Sequence, residues 1–159
     1  MRKFFFALVV LCFIPTVSFS KTTQQKESEC RQGSSYNCYA AGGDYQRGEK
    51  VRQDYKKAKE LYEIGCNGGD LNACTRLANL YLEGKGTPKN KQYAKELHMD
   101  TCFRSSHTPD NYDPGVESCI HLGKIYKDAN LLDLAKAAFG QACDKNSTWG
   151  CEEYRKMNN

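Results

Sequence analysis

Apolar residues in this chain recur at the spacing of one helix face, and that face returns with a fixed period. Cys74, Leu77, Ala78 and Tyr81 stand at i, i+3, i+4 and i+7. Cys119, Leu122, Gly123 and Tyr126 repeat the set, and Cys38, Ala41, Gly42 and Tyr45 repeat it more loosely. The spacing puts each set on one side of an α-helix. A second kind of helix alternates with the first. Ala58, Ala94 and Ala135 each precede a cysteine (Cys66, Cys102, Cys143) by eight residues, with Tyr62, His98 and Phe139 four before it. A small residue at the first of these positions lets a neighbouring helix come close.

Cys30, Cys66 and Cys102 are 36 residues apart, and so are Cys38 and Cys74. Self-similarity with a period of about 20 to 50 residues is the signature of a solenoid. The breaks between periods agree with it. Gly84 and Gly86 can take the positive φ that ends a helix, Thr87-Pro88 prevents its continuation, and Asn90 offers an N-cap to the next. Gly48 and Asp54 play the same parts one period earlier. The pattern therefore predicts eight helices, over about 22–31, 35–47, 54–67, 71–83, 90–103, 115–127, 131–144 and 148–157, and no strand, because two-residue alternation is nowhere sustained. They pair into hairpins at 22–47, 54–83, 90–127 and 131–157, an all-α solenoid of about four hairpins.

One apolar run does not fit the repeat. Arg2 and Lys3 precede Phe4 to Ile14, and Pro15 and small residues follow up to Ser20, which reads as a secretory signal peptide over 1–20 ahead of a single domain over 21–159. The run falls short of the roughly 18 residues a membrane span needs, so no span is expected after processing. Export to the periplasm or beyond the cell changes the meaning of the cysteines, since disulfides persist there. With Cys12 in the signal, eight of the nine cysteines remain. Removing Arg2 and Lys3 from 23 basic residues leaves 21 against 19 acidic ones, about +2, which asks for neither nucleic acid nor an anionic membrane.

The cysteines follow the hairpins. One lies near the end of a helix and its partner eight residues on, near the start of the next: Cys30 with Cys38, Cys66 with Cys74, Cys143 with Cys151. An antiparallel hairpin with a short loop brings such positions side by side. Cys102 and Cys119 fit the same scheme with nine extra residues between them.

The stretch Cys-x-x-Leu-Ala-x-Leu-Tyr-x-x-Gly-x-Gly-Thr-x-Lys-Asn at 74–90, with Ala-x7-Cys at 58–66, resembles the Sel1-like repeat, a relative of the tetratricopeptide repeat. With cysteines paired eight apart, the chain also resembles the Helicobacter cysteine-rich protein family. That resemblance implies a solenoid of disulfide-stapled helix pairs, and penicillin binding or weak β-lactamase activity. Sel1-like repeats more broadly imply an adaptor for other proteins. The first hairpin departs from the pattern at Ala41, the third by its enlarged loop, and the connection from Tyr126 to Ala135 is four residues shorter than its counterparts.

Candidate chemistry is sparse. Ser18-Phe19-Ser20-Lys21 matches the Ser-x-x-Lys of serine β-lactamases by letter but straddles the expected cleavage point. His98, His107 and His121 fall in different elements, which is no metal cluster, and His98 takes a core position. No catalytic residue, metal or cofactor is assigned. The insertion from Phe103 to Ser118 carries Ser105, Ser106, His107, Asp110, Tyr112 and Asp113. It reads as a contact loop on a binding face, with Asp113-Pro114 as N-cap and first position of the next helix. Asn146, in Asn-Ser-Thr, is a candidate glycosylation acceptor. The reading is a monomeric binding module for a protein, a peptide or a peptidoglycan-like cell-wall fragment, with weak β-lactam hydrolysis as the alternative.

Overall fold

A computed structural model describes residues 20–106 and 113–158. Eight helices follow in order: α1 Thr23–Arg31, α2 Ser35–Arg47, α3 Tyr55–Asn67, α4 Leu71–Glu83, α5 Lys91–Arg104, α6 Pro114–Asp128, α7 Leu132–Asp144 and α8 Thr148–Lys156. Among the described residues there is no strand. Each helix packs mainly on the next in sequence, and α2, α4 and α6 also touch in succession. That is an α/α solenoid, and no described helix is long and apolar enough to cross a membrane. The expected signal peptide, apart from Ser20, lies outside the described residues, as do His107, Asp110 and Tyr112.

The helix ends come from the residues the sequence offers. Asp54 accepts a hydrogen bond from Lys57 N, Asn90 from Tyr93 N, Asp113 from Gly115 N and Ser147 from Gly150 N. Each satisfies an amide that the first turn leaves without a partner. Gly48 and Gly84 close α2 and α4 at φ 72° and 74°, the left-handed conformation that glycine adopts without penalty. Gly86 (φ 69°) is held twice over, since a Cβ there would run into the Tyr55 backbone of the preceding hairpin. The shortened connection before α7 works differently. Asn130 takes the left-handed turn at φ 57°, and Leu131 begins the helix with no side-chain cap.

Disulfides join Cys30 to Cys38, Cys66 to Cys74, Cys102 to Cys119 and Cys143 to Cys151, with Cα separations of 4.4 to 4.8 Å. Each closes one helix hairpin, α1α2, α3α4, α5α6 or α7α8. The contacts between hairpins rest on size matching at one position. Tyr62 and Phe139 are buried, and each presses its ring on a glycine of the helix before: a Cβ on Gly42 would lie 2.7 Å from Tyr62 Cδ1, and one on Gly123 closer still to Phe139. Where the ring is the smaller His98, the corresponding residue is Ala78. Ala58, Ala94 and Ala135 are all fully buried, so the helices do approach there.

Candidate functional site

Successive α2, α4 and α6 present corresponding residues to one shared face. Ala40, Arg76 and His121 hold one register position, and Gly43, Asn79 and Lys124 the next, one turn on. Contacts run across it. Asn79 donates to Glu117 Oε1 at 2.8 Å, Arg76 lies 3.5 Å from the same carboxylate, and the Lys124 ammonium sits 4.9 Å from the centre of the Trp149 ring.

At the α2 end the small residues leave a pocket of about 410 Å³. Tyr39 and Tyr62 wall it, their ring centroids 6.3 Å apart, and Tyr62 donates to Gln46 Oε1 at 2.7 Å. Lys26, Arg47, Lys50 and Arg76 supply four cations to its lining, against the one carboxylate of Asp44. Asp44 is buried and already engaged, accepting from Thr23 Oγ1 at 2.9 Å, Lys26 Nζ at 2.6 Å and Arg47 Nη2 at 3.3 Å. Burial pushes its pKa up, but the Lys26 and Thr23 hydrogen bonds outweigh that and hold it below the usual carboxylate range. Gly43 has its own part here. A Cβ on it would lie 2.9 Å from Arg47 Nη1, so the bare backbone lets the guanidinium fold over the pocket edge.

Farther along, a polar chain runs through the interior instead. Thr75 and Ser118 share a hydrogen bond at 2.9 Å, Ser118 Oγ meets His98 Nδ1 at 3.2 Å, and His98 stacks on His121. Thr75, Ser118 and His98 have no solvent exposure. Burial, with His121 beside it, lowers the pKa of His98 to about 3, so the ring is neutral. A serine and a histidine thus meet, but where no substrate reaches them.

The expected contact loop divides. Ser106 is exposed, whereas Ser105 ends α5 buried, 8% exposed, with no partner on its Oγ. Lys145, forty positions on, reaches back to this turn: its half-buried ammonium donates to Ser105 O at 2.5 Å and pairs with Asp113 at 3.4 Å. One cation therefore holds both ends of the insertion. Asn146 is exposed in the turn before α8, at φ 64°. Among the described residues no group of three or more His, Cys, Asp or Glu could hold a metal.

Sequence alone pointed to the loop and missed the pocket. The signal was present in the 36-residue register, where Ala40 and Gly43 stand opposite Arg76 and Asn79 and leave a hollow rimmed by cations.

The family model of the Sel1 repeat matches residues 38–70 and 71–98, that is, α2 with α3 and α4 with most of α5. No curated protein sequence matches the chain. Among solved structures, the crystal structure of a Sel1 repeat protein from Oxalobacter formigenes superposes with a TM-score of 0.67 at 15% identity, covering 84% of this chain and 96% of that one. At that identity the likeness speaks for the fold. The chain is thus a disulfide-stapled all-α solenoid, with residues 38–70 and 71–98 matching the Sel1 repeat model and a fold similar to that of a Sel1 repeat protein.

Proposed function

We propose that the chain is an exported, monomeric binding module that engages another protein through the shared face of α2, α4 and α6. The observation that carries this reading is the pocket between Arg47 and Arg76, an open, tyrosine-walled hollow on a face built from repeat positions. Repeat solenoids use such continuous faces for recognition, and Sel1 repeats generally mediate protein interactions. Four disulfides accord with an extracytoplasmic setting, and residues 1–20 are assigned to export. Weak β-lactam hydrolysis, which the resemblance to the Helicobacter cysteine-rich proteins implies, ranks second. The contact between Ser118 and His98 is closed to solvent and offers that chemistry no nucleophile.

The test is photo-crosslinking in the intact cell envelope. A benzophenone side chain replaces Tyr36, 69% exposed and one turn before Ala40 on this face, or Lys56, exposed on α3. A discrete protein adduct from position 36 and none from 56 is expected. Equal adducts from both, or none from 36, overturn the reading. An adduct dispersed by a muralytic enzyme assigns the face to the alternative ligand, a cell-wall fragment.

A further inference from the structure

The pocket also indicates the chemistry of what it binds. The chain as a whole is only mildly basic, 23 Lys and Arg against 19 Asp and Glu, yet this hollow gathers four cations around one carboxylate. That carboxylate cannot absorb them all, because Asp44 is buried and its oxygens are filled by Thr23, Lys26 and Arg47. The two arginines at the rim also reach carboxylates outside the lining. Arg47 reaches Glu49 at 3.1 Å with both side chains more than half exposed, and Arg76 lies 3.5 Å from Glu117 with about a third of its side chain exposed. Exposed ion pairs contribute little and exchange readily for a better-placed anion. Arginine forks suit a carboxylate that arrives with fixed geometry.

We propose that this pocket receives an acidic segment of the protein partner, an aspartate or glutamate carboxylate seated between Arg47 and Arg76 with its stem against Tyr39 and Tyr62. A volume of about 410 Å³ is more than one carboxylate fills, so flanking residues of the segment enter with it. Lys50, exposed at the rim, adds attraction during approach. The inference rests on the binding-module reading.

The experiment uses the oxidised protein and a panel of labelled synthetic peptides of one length. These are Asp/Glu-rich sequences, the same sequences with Asn and Gln in their place, and Lys-rich sequences, measured by fluorescence anisotropy at low and high salt. Acidic peptides bind, their amide versions bind about tenfold or more weakly, and salt reduces the difference. Two variants locate the site. Arg47→Ala with Arg76→Ala removes the fork. Ala40→Glu places a competing carboxylate in the hollow without removing any existing charged side chain. Each lowers affinity for acidic peptides about tenfold or more, the scale of a lost arginine anchor; the double variant also loses the Arg47 contact to buried Asp44, so the Ala40→Glu chain, whose melting curve is measured alongside, separates lost binding from lost stability.

Acidic and amide peptides binding alike would overturn the inference, as would acidic binding that both variants leave intact. If no peptide binds while position 36 still crosslinks a protein, the inference fails and the binding-module reading stands. If neither signal appears, both fail.

Discussion

The imidazole rings of His98 and His121 lie nearly parallel, 9° apart, with centroids separated by 4.9 Å across the packed pair α5 and α6. Burial lowers the pKa of both. For His98 the cause is desolvation and then His121; for His121 it is desolvation, helped by Lys124 and opposed by Glu117 and Glu83.

Stability should therefore fall in mild acid. The folded pKa of His98 is about 3 against an ordinary 6.5, so the unfolded chain binds more protons between those values. The contribution is complete above about pH 6.5 and is lost as pH drops toward 3, by roughly 1 kcal/mol per pH unit. Denaturant melts at pH 7.5, 6, 5 and 4 measure the slope. His98→Phe, which installs the residue of the equivalent position 139, should flatten it. An equal slope in the variant would exclude His98 as its source.

Gly42→Ala should destabilise the hairpin contact. The new methyl meets the buried Tyr62 ring at 2.7 Å, and overpacking of this kind costs about 1 to 3 kcal/mol. Improved helix propensity returns at most about 1 kcal/mol. A net loss of about 1 to 2 kcal/mol in urea unfolding is expected, and Tyr62→Leu in the same background should recover part of it. A neutral or stabilising Gly42→Ala would show that the ring is free to shift.

The two sets behind that prediction were legible in the sequence, Gly42, Ala78 and Gly123 on one helix face and Tyr62, His98 and Phe139 on the other, but their pairing by size emerges only once the helices pack. The helix ends at Gly48, Asp54, Gly84 and Asn90 were legible too, because caps and left-handed turns are local chemistry. Ser105 was not legible. Its carbonyl is met by Lys145 reaching back from the end of α7, and nothing near Ser105 announces a partner forty residues away. The pocket lies between these cases. Each wall belongs to a different helix, and only stacking the repeats brings Ala40, Gly43 and Arg76 together.

Reduction should largely melt the domain near body temperature. Losing native bridges from a small exported domain typically costs about 2 to 5 kcal/mol, against a total stability of about 5 to 15. Circular dichroism melts with and without reductant decide it. An unchanged curve would mean that the helix interfaces suffice, and peptide mapping without reductant should return the same four pairs.

Hydrolysis of a chromogenic cephalosporin by the oxidised protein should be no faster than a mock purification, or slow and unaffected by alanine at Ser105, Ser106 or His107. Ser105 faces inward and Ser118 is sealed, so neither is presented to a lactam. Turnover near the ordinary enzyme range of about 1 to 1000 per second, abolished by one of these changes or by a chelator, would reverse the ranking of the two functions.

In every bridge the partner of a cysteine is the next cysteine along the chain, at a separation of 8, 8, 17 and 8 residues. From the N-terminal end, Cys38 follows Cys30 before any later thiol, and the same holds for each pair in turn. Short loops also close at the lowest entropic cost. Oxidation in chain order would therefore reach the native set without any reshuffling of bridges. The solenoid can thus be locked hairpin by hairpin, each unit closed without reference to the next.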